Sequence, residues 1–303
     1  MIRLLPVPAE LAGERADAAV ARLMGLSRAR AAELAARGLI DQDGVPLGKS
    51  ARLEAGAILR IELPDETQER PPEPLAELPI AYEDDDILIV DKPVGVAAHA
   101  SAGWSGPTVL GSLLAGGVRV ARGAGDEQRG IVHRLDVGTT GLMLVAKSEM
   151  AYSVLKQMFR DRVVDKVYQA VTQGLPNPLR GTVDGPIGRL PGAFKFEVVE
   201  GGKPSITHYE VVEAFRGAAL LTVRLETGRT HQIRVHLAAM GHPLVGDVFY
   251  GADKRLAARL GLTRQWLHAA ELGFDHPVTG APTRVRAPLP DDLRGALIAL
   301  RES

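Results

Sequence analysis

The chain has 303 residues, 46% of them hydrophobic and 24% charged, with a net charge of -1, which is enough length to bury more than one core. The near-neutral balance excludes a wholly basic coat, so any affinity for nucleic acid must come from clustered cations. Having no cysteine excludes disulfides, thiolate zinc sites, iron–sulfur clusters and cysteine nucleophiles.

The start of the chain, with Pro6, Pro8 and Glu10, does not read as a secretion signal. No later run approaches the ~18 apolar residues of a membrane span, so a cytoplasmic protein free of membranes is expected. Residues 14–64 form a unit of their own. Ala18, Val20, Ala21, Leu23 and Met24 give a short helical pattern; Ser27 is an N-cap for a second helix through Ala36, which Gly38 ends. Asp43-Gly44 then sits between two short apolar runs as a hairpin turn, and a strand over 58–63 closes the unit. On the second helix Arg28, Arg30 and Arg37 read first as a solvated face. The wider pattern, S-R-A-R-A-A-E-L-A-A-R-G-L-I followed by D-G, G-K-S and E-A-G-A-I-L-R-I, resembles the small RNA-binding domain named after ribosomal protein S-four. That resemblance implies that Arg28, Arg30 and Lys49 touch RNA phosphates.

An acidic, proline-rich linker is expected over 65–79, with Pro71, Pro72, Pro74 and Pro79 among five carboxylates. The domain division is therefore 1–64, linker 65–79 and 80–303. Beyond it, strands are expected at 80–82, 87–90, 131–133, 141–146, 163–171, 208–215 and 220–225. Ser148 caps a helix that buries Tyr152, Leu155 and Phe159, and another helix runs from Thr230 to Met240. The order predicts an α+β protein: a small N-terminal α/β unit, then a domain on a mixed, largely antiparallel sheet with flanking helices.

Three segments carry reactive residue types. Residues 130–148, G-I-V-H-R-L-D-V-G-T-T-G-L-M-L-V-A-K-S, place His133, Arg134 and Asp136 at a corner between apolar strands. On spacing alone Asp136 is either a reactive carboxylate or a turn residue bonded to backbone amides. Residues 226–247 put Arg229 just before a helix on which Gln232 and His236 share one face, with Ile233, Leu237 and Met240 on the other. His231 and His236 are five apart rather than the four of a helical metal pair; no metal is expected. On the strand over 163–171, Lys166 and Tyr168 point to one face, and a half-buried core tyrosine is the plain alternative.

Together these segments, with D-D-D-I-L-I-V-D-K-P-V-G-V and R-A-P-L-P, resemble the RluA-type family of RNA pseudouridine synthases over nearly all of 80–290. The resemblance implies a cofactor-free isomerase. Asp136 matches the essential aspartate that attacks or deprotonates the nucleoside. Arg134 matches the arginine that steers or replaces a flipped-out uridine. Tyr168 matches the tyrosine that stacks on uracil and takes the carbon-five proton, and Arg229 the basic partner of the aspartate. Leu237 would contribute an apolar floor. Uridine must lose its nitrogen–sugar bond, rotate and rejoin through carbon five. That needs a carboxylate, an enclosing pocket and a proton acceptor, while extruding the base costs a few kcal/mol that stacking offsets. Val137 and Gly138 depart from the charged pair common in relatives, which puts the contacts of this loop in doubt.

The N-terminal unit favours structured RNA, first of all large-subunit ribosomal RNA or a pre-ribosomal particle, as partner; transfer RNA is the alternative, and a monomer is expected. Two other readings use the same residues. A non-catalytic RNA-binding assembly factor would not need Asp136, Tyr168 and Arg229 together. A glycosidase or nucleosidase would need a second carboxylate, for which Asp247 is the one candidate in these segments.

Overall fold

The computed structural model describes residues 2–26, 28–63, 74–75, 77–100, 104–123, 129–190 and 195–302, with Ala29 by its backbone alone. The chain divides into two units, Met1–Pro71 and Pro72–Ser303. The expected cap Ser27 and most of the expected linker lie outside the described residues.

In the first unit, strands β1 (Ile2–Pro6), β2 (Ile40–Gln42), β3 (Val45–Pro46) and β4 (Ile58–Glu62) form an antiparallel sheet in the order β1-β4-β2-β3. Helices α1 (Ala16–Met24) and α2 (Arg28–Ala36) bury Ala16, Ala19, Val20, Ala31 and Leu34 together with Ile40, Leu59 and Ile61. The turn between β2 and β3 has positive φ at both Asp43 (50°) and Gly44 (82°), the backbone of the primed hairpin turns that match strand twist.

The second unit contains β5 (Ile80–Glu83), β6 (Ile87–Lys92), α3 (Val109–Ala115), β7 (Thr140–Ala146), α4 (Glu149–Asp161), β8 (Asp165–Gln173), β9 (Arg180–Asp184), β10 (Ile187–Gly188) and β11 (Glu197–Val198). β12 (Ile206–Phe215), β13 (Ala218–Leu225), α5 (Gln232–Ala239), α6 (Lys254–Arg259), β14 (Leu267–Asp275), β15 (Pro282–Arg286) and α7 (Asp291–Arg301) follow. The main sheet runs β5-β6-β7-β14-β8-β13-β12-β9, with β15 also on β14; β10 and β11 form a separate two-stranded ribbon. Every described pairing between these strands is antiparallel except β7 with β14. The architecture is α+β, on a mixed and largely antiparallel sheet.

Strands β6 and β7 are apolar at almost every position because both of their faces are covered. Leu88, Val90, Met143 and Val145 enter one core with α3 and α5, while Ile87, Ile89, Leu142 and Leu144 enter another with Tyr152 and Leu155 of α4. Ser148 caps α4 by accepting from Ala151 N. The expected strand over 131–133 is reduced to a single bridge, Ile131 with Val145. Its cause is the ring of His133, whose Nε2 accepts the Leu144 N–H at 2.8 Å and so takes a donor that a strand partner would need.

The late strand β14 lies between β7 and β8. His268 pairs with Thr140, Ala269 with Gly141, and Ala269 on its other side with Tyr168. Gly141 (φ +107°) is required there, since a Cβ would fall 2.2 Å from Ala269 O. This row sets the start of β7, and the loop before it, two strand spacings from Tyr168, roughly 10 Å.

Candidate active site

Asp136 sits in the loop that leads into β7, and its carboxylate is not tied to a turn: among the described residues it accepts from side chains alone. Arg234 on α5 donates from Nη1 to Asp136 Oδ2 at 3.2 Å. The same guanidinium holds Asp247 with two bonds, Nε to Oδ2 at 2.7 Å and Nη2 to Oδ1 at 3.0 Å. It also lies over the Tyr250 ring, 4.8 Å from the centroid. Burial opposes the charge of Arg234, but Asp247 and Asp136 outweigh it and push the guanidinium further up. A rigid, bidentate cation is thus fixed against the carboxylate.

This corrects the expected pairing of Arg229 with Asp136. Arg229 precedes α5 and points elsewhere, its Nε donating to Pro204 O at 3.2 Å; the partner of the aspartate is Arg234. The sequence did carry a signal, a charged residue between Ile233 and Val235 on a helix whose neighbours are buried. A buried arginine requires a carboxylate. Asp247, the one candidate for a second acid, is engaged by Arg234 on both oxygens.

Tyr168 on β8 is 7% exposed and lines the same small pocket, about 60 Å³, as Asp136, Arg134, His231, Arg234, Ile233 and Leu267. Burial, with the charge of Asp136, pushes its phenol upward, so the hydroxyl stays protonated. Leu237 is fully buried in the core beneath and does not line this pocket. The apolar wall is made by Leu135, Leu225, Ile233 and Leu267, so the floor expected from Leu237 falls to its neighbours on the helix and sheet.

The histidines of the α5 segment serve local bonds. His236 and Gln232 share a helix face and both reach Thr207 Oγ1, at 2.9 and 3.0 Å. His236 Nε2 donates to Gly185 O at 2.9 Å, which leaves Nδ1 to accept from the Thr207 hydroxyl. His242 meets Gln173 O through Nδ1 at 3.1 Å. His231 is different: it bonds Tyr250 and faces Asp136.

The loop around Val137 and Gly138 is held from outside. Lys92 at the end of β6 is fully buried and its Nζ donates to Pro93 O at 3.0 Å, Val96 O at 2.9 Å and Val137 O at 3.4 Å. Burial pulls its ammonium down to about 7. Gly138 O accepts from Arg264 at 3.0 Å, and a Cβ on Gly138 would fall 2.6 Å from Gln265 Oε1. Close packing against Gln265, not lost charge, accounts for a small residue here.

The pocket opens into a cleft of about 370 Å³ through shared walls at Arg134, Tyr168, Leu225, Gly228 and Arg229. Arg134, Lys156, Arg160, Arg162, Lys166 and Arg229 line it against one carboxylate, Glu226. Glu226 is itself held by His208 at 2.8 Å and Arg162 at 3.5 Å. Arg134 is exposed and makes no hydrogen bond or ion pair among the described residues. His133 stacks on Phe159 at 4.7 Å on the cleft wall, and burial beside Lys166 pulls it down to about 3. In the first unit Arg28 lies 3.5 Å from Asp17 and Arg30 2.9 Å from Glu33, while Lys49 is exposed.

A family model of RNA pseudouridylate synthases matches residues 86–239, half of the chain, and spans Asp136, Tyr168 and Arg234. The chain belongs to this family. At the level of individual proteins, it is 55% identical to an uncharacterised RNA pseudouridine synthase of Mycobacterium bovis over 99% of this chain and 98% of that one. It is 40% identical to a ribosomal large subunit pseudouridine synthase D of Pseudomonas aeruginosa over 99% and 96%. Among solved structures, the human RNA pseudouridylate synthase domain containing 4 superposes with a TM-score of 0.58 at 26% identity, covering 74% of this chain and 93% of that one.

Proposed function

We propose that this chain converts specific uridines of large-subunit ribosomal RNA to pseudouridine, with Asp136 as the catalytic carboxylate. One observation carries the reading: a carboxylate held by Arg234 at 3.2 Å stands in an apolar-walled pocket beside a buried tyrosine, at the inner end of a cleft with six cations and one carboxylate. The cleft suits an RNA backbone, whose phosphates need arginine and lysine in excess of carboxylates. The pocket suits one extruded base. Relatives named as synthases of the large ribosomal subunit support the choice of RNA.

In this reading Arg134, exposed at the mouth, steers the flipped nucleotide or fills the gap it leaves. The Tyr168 ring stacks on the uracil. Its phenol is kept protonated by burial and by the charge of Asp136, so it is a poor base in the free enzyme. If Asp136 is consumed in a bond to the substrate, one of those two causes disappears, and Tyr168 becomes better able to take the carbon-five proton. Arg229, away from the carboxylate, acts on the RNA backbone in the cleft. The first unit, with Arg28, Arg30 and Lys49, adds phosphate contacts outside the catalytic unit. The reaction belongs in the cytoplasm, where ribosomal RNA is assembled.

The test is a pseudouridine map of ribosomal and transfer RNA from cells with and without this protein. Sites lost from large-subunit RNA should return with wild type and not with Asp136→Asn, which should lower turnover by at least about a thousandfold while RNA affinity stays within a few fold. Loss of transfer-RNA sites instead would move the substrate. An unchanged map would favour an assembly factor, and release of free uracil a nucleosidase.

A further inference from the structure

We infer that His231, set by Tyr250, is a positioning residue that commits Asp136 to present a single oxygen, Oδ1, to the nucleoside. This rests on the proposed role of Asp136 and goes beyond it.

His231 adopts φ +57°, a left-handed conformation that side-chain-bearing residues seldom take and that marks local constraint. It immediately precedes α5, so the same turn that starts the helix directs the ring away from the helix and toward the loop before β7. Its Nδ1 lies 2.8 Å from the Tyr250 hydroxyl, and its Nε2 lies 4.0 Å from Asp136 Oδ2. Three rings pack edge-on against it, those of Phe196 at 5.9 Å, Phe249 at 6.3 Å and Tyr250 at 5.6 Å. The imidazole is therefore fixed in place, and its proton is fixed as well. Burial holds the Tyr250 phenol protonated, and among the described residues its oxygen bonds only the His231 ring. The phenolic proton is left for His231 Nδ1. An imidazole that accepts at Nδ1 carries its own proton on Nε2, the atom facing Asp136.

Both groups that approach the carboxylate do so on one side. Arg234 Nη1 is 3.2 Å from Oδ2, and His231 Nε2 addresses that same atom. Among the described residues no protein donor reaches Oδ1. The charged groups around the ring are Asp136, Arg234, Asp247 and Arg134, and burial is the largest influence, lowering the tendency of His231 to become a cation. At neutral pH it offers a dipole and not a second full charge, so it orients the carboxylate without adding another ion pair. The gap of 4.0 Å closes to hydrogen-bond length when the pocket fills, as such contacts often do only in the substrate complex.

Two variants of the full chain test this. His231→Asn keeps a residue that tolerates the left-handed backbone but is too short to reach Asp136. Tyr250→Phe keeps the ring beneath Arg234 and removes only the proton donor. The free protein gives the first readout, the ring nitrogen chemical shifts of His231. A single neutral Nε2–H form is expected in the wild type, and a mixture of tautomers in Tyr250→Phe. With in-vitro transcribed, unmodified large-subunit ribosomal RNA, His231→Asn should lower kcat by on the order of 10- to 100-fold, the scale of a misplaced reacting group, with KM changed less than about threefold. A kcat within twofold of wild type for His231→Asn, an Nδ1–H tautomer in the wild type, or an unchanged single tautomer in Tyr250→Phe would each overturn the inference. The nitrogen shifts need no substrate, so they stand or fall apart from the proposed reaction.

Discussion

Two groups of arginines in the catalytic unit differ in what faces them. On an exposed face of the sheet, Arg224 of β13 meets Asp165 of β8 at 2.9 Å, Arg284 of β15 meets Asp165 and Glu271, and Arg286 meets Glu271. Each cation there has a carboxylate across the strand, and the ladder is complete without a ligand. In the cleft, Arg134, Lys156, Arg160, Arg162, Lys166 and Arg229 share the lining with one carboxylate, Glu226, among the described residues. In a chain of net charge -1, an excess of this kind is a local arrangement and not a property of the surface at large. The difference separates cations that hold strands together from cations that the proposed function assigns to RNA phosphate.

The largest effect should come from thinning the unbalanced group. Arg160→Gln with Arg162→Gln should reduce the salt dependence of RNA binding, measured as log Kd against log salt, by about 0.7 to 1 per cation removed. KM should rise more than kcat falls. An unchanged slope would mean that the RNA backbone does not run through the cleft. A smaller effect is expected from His133 on the cleft wall. Its unfolded form binds a proton below about 6.5, while in the folded chain burial and Lys166 delay protonation to about 3. The unfolded state therefore holds more protons between those values, and stability falls as pH falls through that window. His133→Gln, which retains an acceptor for Leu144 N–H, should flatten the decline by up to about 1.4 kcal/mol per pH unit in denaturant titrations; His268, pulled down to about 4 by burial, sustains the rest. The smallest effect belongs to the balanced ladder. Arg284→Gln with Arg286→Gln should leave the salt slope and turnover unchanged and shift Tm by no more than about 4 °C, since exposed ion pairs contribute little.

Much of this was legible in the sequence where the signal is local. The Ser148 cap, the Asp43-Gly44 turn, the apolar runs of β6 and β7 and the α4 face follow from short-range pattern, and the motifs around Asp136 and Tyr168 led to one pocket. What pattern could not supply was the choice among like residues. Arg229 and Arg234 flank the same helix start, and only burial against Asp247 decides which one holds Asp136. Periodicity placed Ile233 and Leu237 on one apolar face, but the depth of each beneath the pocket depends on the strands they pack against. His231 enters the pattern only as half of a mis-spaced metal pair, because its backbone conformation and its tie to Tyr250, nineteen positions on, leave no mark in spacing. The expected strand at 131–133 failed for a similar reason, a side chain competing for a backbone donor.

The place of β14 also governs when the enzyme can first exist during its own synthesis. Asp136 and Tyr168 are made before β14, yet β7, which follows Asp136, and β8, which carries Tyr168, do not pair with each other; residues 267–275 fill the slot between them. A growing chain that has not yet delivered that stretch has both residues and no frame to bring them together. The catalytic unit should therefore come alive only once residues 267–275 have emerged, after Arg234 and Tyr250, and chains terminated before that stretch should be inert toward RNA rather than weakly active.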